Sequence, residues 1–229
     1  MTDKLRIIRI YVVVAVISVL ILLTTYYIQS QQVKPKVEPY YAKETSFEPL
    51  LTLEKDLVLK DQDGGDARMS ELKGKVWAFA QFYATCPMCA ERNSQGLKNL
   101  YEKFKGNPDF RLVCITVNPE SDGVAEMKSY AEGLGADTSN WLFLTGDAKL
   151  LKDYMISEMK YQPIVKRENP EEAATLGEYE HDMSIAVYDR NLSMVSRHDL
   201  YNARKKGEAF LEGVENKLHF TVKTLLEKK

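Results

Sequence analysis

Val76-Trp77-Ala78-Phe79-Ala80-Gln81-Phe82-Tyr83-Ala84-Thr85-Cys86-Pro87-Met88-Cys89 runs from a nearly all-apolar stretch into two cysteines separated by two residues. An apolar run of that length without alternation predicts a strand covered on both faces, as in the centre of a sheet flanked by helices. Directly after the cysteines, Leu97, Leu100, Tyr101 and Phe104 recur at three-and-four spacing, which predicts a helix. The order strand, Cys86-Pro87-Met88-Cys89, helix therefore puts both thiols in a first helical turn. There the unpaired N–H groups and the positive end of the dipole favour a thiolate at Cys86. Pro87 fits because a first-turn position loses no hydrogen bond to it. At this spacing Cys89 reaches Cys86 as a disulfide partner, or both sulfurs hold one soft metal ion. With three cysteines in the chain, no second pair exists to complete a four-thiolate zinc site.

The alternation repeats downstream. Phe110-Arg111-Leu112-Val113-Cys114-Ile115-Thr116-Val117 reads as a second buried strand, residues 124–134 as an amphipathic helix ending at Gly135, and Trp141-Leu142-Phe143-Leu144 as a short third strand. A helix over 148–159 follows. Then Ser184-Ile185-Ala186-Val187-Tyr188-Asp189 and Met194-Val195-Ser196-Arg197 form a hairpin across Asp189-Arg190-Asn191, and a last helix runs over 205–227. Upstream, Leu57-Val58-Leu59-Lys60 leads into the turn residues Asp61-Gln62-Asp63-Gly64-Gly65, and Glu71-Leu72-Lys73-Gly74-Lys75 marks another turn. Strands alternating with helices predict an α/β fold. Residues 162–180, with Lys166-Arg167-Glu168-Asn169-Pro170-Glu171-Glu172, break the pattern and predict an exposed, mobile loop.

The N-terminal end is of another kind. Residues 10–28 carry no charge and approach the ~20 apolar residues a spanning helix needs, so they predict a transmembrane anchor. Lys4, Arg6 and Arg9 lie before it, which puts residues 1–9 in the cytoplasm and the rest of the chain on the far side. A cleaved signal peptide is the competing reading, but the stretch is long for one and Thr24-Thr25-Tyr26-Tyr27 offers no small-residue cleavage site. Residues 29–46, polar and proline-bearing, read as a spacer, and residues 47–229 as the folded domain. The short tail without an Arg- and Ser-rich transit stretch points to a bacterial cell membrane, with the domain periplasmic or otherwise extracytoplasmic.

Among 229 residues, 45% are hydrophobic and 28% charged, a globular make-up, and a formal net charge of −2 gives no basic surface for a nucleic-acid partner. Cys114 stands inside an apolar strand and reads as a small hydrophobe. Of the three histidines, His198 and His219 read as packing or surface residues. His181 precedes the hairpin strand by three residues, where a thioredoxin architecture brings a loop against the dithiol. Met88 and Met183 flank the same region and read as filler rather than ligands.

The chain resembles the Sco/SenC family of thioredoxin-like proteins, which handle copper for cytochrome c oxidase assembly. The matching pieces are Leu72-Lys73-Gly74-Lys75-Val76-Trp77, Thr85-Cys86-Pro87, Cys114-Ile115-Thr116-Val117-Asn118-Pro119-Glu120-Ser121-Asp122, Asn140-Trp141-Leu142-Phe143-Leu144-Thr145-Gly146, and His181 before the last hairpin, in the family's order. The resemblance implies a thioredoxin-like fold, a central mixed sheet flanked by helices, behind the N-terminal transmembrane helix. It also implies that Cys86, Cys89 and His181 bind copper. Two thiolates suit Cu(I), and an added imidazole accommodates Cu(II). Two features depart from the family: two residues rather than three separate the cysteines, with Ala90 following, and Asn118 stands where the family often has Asp.

The resulting expectation is a membrane-anchored copper-binding assembly factor whose partner is a copper-accepting oxidase subunit or another thiol protein. The alternative is a tethered thiol-disulfide oxidoreductase in which Cys86 attacks a substrate disulfide and Cys89 resolves it. Such enzymes place a proline before the strand facing the dithiol, whereas Glu180-His181-Asp182-Met183 precedes Ser184 here.

Overall fold

Helix α1 (Thr2–Gln31) opens the chain, and its stretch from Lys4 to Tyr27 is apolar and, at 24 residues, long enough to cross a bilayer. The computed structural model describes residues 2–31, 46–84, 86 and 94–228, and the chain divides into the units Met1–Lys43 and Glu44–Lys229. Most of the expected spacer falls on residues 32–45, outside the described residues.

The second unit is built on a six-stranded mixed sheet. Its strands are β1 (Leu51–Thr52), β4 (Val76–Phe82), β5 (Phe110–Thr116), β6 (Trp141–Leu144), β9 (Ile185–Tyr188) and β10 (Ser193–His198), in the order β1-β10-β9-β4-β5-β6. Strands β4, β5 and β6 run parallel, from Val76 opposite Phe110 to Phe82 opposite Thr116, while β9 and β10 form the expected antiparallel hairpin. All seven residues of β4 are buried, as its apolar run predicts.

Alternation along β4 separates two cores. Val76, Ala78, Ala80 and Phe82 face one side, where they pack with helix α2 (Ser94–Phe104), helix α3 (Val124–Leu134) and the two C-terminal helices, α6 (Leu200–Lys205) and α7 (Glu208–Glu227). Trp77 and Phe79 face the other and meet Leu151, Tyr154 and Met155 of helix α4 (Ala148–Ser157), together with Leu53, Leu57, Leu59 and Met69 of the segment before β4. On that face Trp77 stacks on Tyr188 with ring centroids 3.9 Å apart. Layers on both faces of one sheet make a single α/β body. Helix α3 ends as expected at Gly135, which takes a left-handed φ of 67° and donates its N–H to Ala131 and Glu132.

Strand β2 (Val58–Lys60) runs into the expected turn and, beyond it, pairs with a further short strand, β3 (Asp66–Arg68). The structure corrects one reading. Residues 162–180, expected as an exposed loop, hold a small hairpin of β7 (Val165–Lys166) and β8 (Tyr179–Glu180) enclosing helix α5 (Pro170–Leu176). The helix was hidden by its charge, yet it carries its own signals. Asn169 caps it by accepting from Glu171 and Glu172, with Pro170 in the first turn. The expectation that both cysteines occupy a first helical turn falls on residues 87–93, outside the described residues, and α2 is described from Ser94.

Candidate metal and thiol site

Strand β9 pairs with β4 only as far as Phe79. The C-terminal part of β4 is therefore left for the segment between β8 and β9 to approach, and the candidate residues meet there.

The thiol side is held from below. After β4, Ala84 N–H donates to Asp122 Oδ2 at 2.9 Å, and Thr116 Oγ1 donates to the same oxygen at 2.5 Å. Asp122 is fully buried, its Oδ1 has no partner among the described residues, and burial raises its pKa from the ordinary carboxylate value. Its backbone carbonyl accepts from Thr145 Oγ1 at 2.6 Å, which ties the loop after β5 to β6. Cys86 N–H donates to Tyr83 O at 3.2 Å, closing the turn that presents the sulfur, and Cys86 is 8% exposed. The backbone of Gly177, at φ +90°, lies over that turn. A Cβ there would meet the Tyr83 hydroxyl and come within 3.3 Å of the Cys86 sulfur, so no larger residue fits.

The imidazole side is fixed through its neighbour. Asp182 N–H donates to Gln81 Oε1 at 3.1 Å, its Oδ1 accepts from Ser184 N–H at 2.7 Å, and its Oδ2 pairs with Arg197 at 3.4 Å. The Arg197 guanidinium lies 4.0 Å from the Tyr161 ring centroid and donates to Met159 O at 2.8 Å. His181 Nδ1 lies 3.0 Å from Asp182 O. A carbonyl only accepts, so Nδ1 carries a proton, and in the neutral ring Nε2 then keeps its lone pair, the arrangement of a metal-binding imidazole.

Cys86 and His181 line one half-open cavity of about 510 Å³, together with Tyr179, Met183, Tyr201 and Lys205. The structure thus brings two of the three sequence-predicted site residues to one space from positions 95 residues apart. Cys89 and Met88 lie outside the described residues, and among the described residues no cluster of three metal-binding side chains occurs. A thiol and an imidazole are a donor set that fits copper.

The other candidates fall where the sequence puts them. Cys114 is 2% exposed and accepts from Trp141 Nε1 at 3.4 Å, and burial pushes its thiol up to about 12. His198 is buried on β10 with Ser196 Oγ 2.9 Å from its Nε2. Sequence reasoning passed over Asp122 and Tyr83. The first carried a signal, a charge at the end of Asn118-Pro119-Glu120-Ser121-Asp122. The second was absorbed into an apolar run.

A family model described as SCO1/SenC matches residues 49–218. The SCO1 protein homolog of Bacillus subtilis (strain 168) is 28% identical over 115 residues, covering 49% of this chain and 58% of that relative, so the likeness spans a little over half its length. Two solved structures show the thioredoxin-like fold. BsSco, titled a member of the Sco family of cytochrome c oxidase assembly proteins with a disulfide switch, superposes with a TM-score of 0.62 at 20% identity over 80% of this chain and 99% of its own. The Bradyrhizobium japonicum ScoI structure, titled as having copper bound, gives 0.54 at 20% identity over 76% and 99%. Since the family model covers well over half of the chain, this protein belongs to the SCO1/SenC family.

Proposed function

We propose that this chain is a membrane-anchored copper-binding assembly factor that delivers copper to, or reduces the cysteines of, a cytochrome c oxidase copper site. The convergence of Cys86 and His181 on one cavity carries the reading. Copper is the cargo: the Cys86 and Cys89 thiolates take Cu(I), and His181 Nε2 adds the borderline nitrogen that Cu(II) requires. Release follows by ligand exchange with thiols of the acceptor, an oxidase subunit or another thiol protein. Helix α1 is the single-pass anchor of a bacterial inner membrane. Its basic start stays in the cytoplasm and the domain stands on the periplasmic or otherwise extracytoplasmic side.

The reductive branch is favoured by a specific observation, the two-residue spacing of Cys86 and Cys89. In that branch the Cys86 thiolate attacks an acceptor disulfide and displaces one acceptor thiolate. Cys89 then attacks the mixed disulfide and displaces the other, so two electrons pass to the acceptor and a Cys86–Cys89 disulfide remains. The proton lost by each attacking thiol returns to a departing thiolate.

The test is titration of the reduced unit of residues 44–229 with Cu(I) and Cu(II), in wild type and His181→Ala. The expected result is retained Cu(I) binding and Cu(II) binding weakened at least tenfold in the variant, since losing a ligand costs no less than the about 10- to 100-fold lost with a ligand's hydrogen-bond partner. A wild-type domain that ignores both ions overturns the copper reading. Rapid reduction of a model disulfide by the same domain then establishes the oxidoreductase alternative.

A further inference from the structure

We infer that Tyr83 is the positioning residue of this site, the side chain beside the Cys86 turn that fixes the orientation of the His181 imidazole. The inference deepens the proposed copper site, and its first readout is independent of copper.

Tyr83 follows β4 and is 2% exposed, and each of its parts is used differently. Its backbone carbonyl accepts the Cys86 N–H. Its ring meets the His181 imidazole edge to face, with centroids 5.9 Å apart and planes at 74°. It meets the Tyr179 ring in the same way, at 5.7 Å and 85°. Its hydroxyl accepts from Tyr179 N–H at 3.4 Å, and Gly177 leaves room for that oxygen by having no side chain. Tyr83 therefore joins two segments far apart in sequence, its own thiol turn and the hairpin end that carries Tyr179 and His181.

A buried tyrosine that merely filled space would hold the fold without choosing a histidine rotamer. Edge contact with the imidazole does more, because it limits His181, which lines the cavity, to the ring orientation in which Nδ1–H reaches Asp182 O. The ring supplies this constraint, and the hydroxyl seats the hairpin. Tyr83→Phe keeps the first and loses the second, whereas Tyr83→Leu loses both.

The experiment uses the full chain in detergent micelles, labelled with ¹⁵N-histidine, reduced and metal-free. Wild type and Tyr83→Phe are expected to show His181 with its proton on Nδ1, and Tyr83→Leu to revert toward the Nε2–H tautomer that free histidine prefers. With Cu(II) added, Tyr83→Leu is expected to lose about tenfold in affinity, Tyr83→Phe much less, and Cu(I) binding to hold in both. In a His181→Ala background Tyr83→Leu should cost nothing further for Cu(II), since its effect runs through His181.

Unchanged His181 tautomer signals in Tyr83→Leu overturn the inference, as does an equal Cu(II) loss with and without His181. If wild type and His181→Ala bind Cu(II) alike, the copper reading falls, while the tautomer spectrum still decides the role of Tyr83. Should Tyr83→Leu fail to fold, Tyr83→Met, flexible and ringless, is read by the same two criteria.

Discussion

Acid should loosen this domain through His198, and the size of the effect follows from where the ring sits. His198 ends β10, is 4% exposed, and pairs across the sheet with Ile185, the first residue of β9. Burial, with smaller contributions from Lys217 and His219 nearby, lowers its pKa to about 4. The unfolded value is ~6.5. Because the folded pKa is the lower one, the unfolded chain binds a proton that the folded chain refuses between these values. Stability is therefore intact above ~6.5, falls as the pH drops toward about 4, and levels off below it. For this shift the loss between about pH 7.5 and about pH 5 is about 2 kcal/mol. The assay is urea unfolding of residues 44–229 across that range, in wild type and His198→Phe. Phenylalanine fills a similar volume without titrating, and its constant offset does not affect the slope. His219, also lowered by burial, and Asp122, raised by burial and so opposite in sign, titrate in both proteins and cancel in the difference. Wild type should lose about 2 kcal/mol more than the variant over this interval. Parallel curves would refute the reasoning, since they would mean that the His198 ring is as easily protonated folded as unfolded.

Two other changes have outcomes set by the structure. Arg197→Leu removes a partly buried ion pair to Asp182 and the stacking on Tyr161, and should cost about 1–2 kcal/mol by urea unfolding. Cys114→Ala leaves Trp141 Nε1 without its acceptor and should cost about 1–3 kcal/mol. In the native protein a thiol reagent should count the same number of cysteines before and after that change. The buried Cys114 thiol reacts only in urea, where wild type should show one more than the variant.

The sheet was legible because its strands are buried on both faces. An apolar run such as Val76 to Tyr83 has one reading in an α/β context, and three-and-four spacing at Leu97, Leu100, Tyr101 and Phe104 has another. The short strands β1, β3, β7 and β8 were not legible. Two or three residues carry no period, and such strands exist only because tertiary contacts supply their partners. Helix α5 was missed for a related reason: with no buried residue it has no apolar stripe, and only its cap and Pro170 announce it.

The site divides along the same line. Cys86 was readable as one half of a local pattern, and His181 through its place before a strand in an ordered set of pieces. What positions them was not readable, because the links that join the two halves of that scaffold connect residues distant in the chain. Asp122 supports Ala84 across 38 positions, and Gln81 holds Asp182 across 101. Tyr83 reaches Tyr179 across 96. Each of these residues has an ordinary sequence-level account: a loop charge, a polar residue in a strand, an aromatic in an apolar run. Their second role arises only because β4 runs three residues past its last pairing with β9. That free strand end lets the β8–β9 connection descend onto the thiol turn. Lengthening the β4–β9 ladder by one pair would place backbone hydrogen bonds where Gln81 now receives Asp182, and would remove the space in which thiol and imidazole meet.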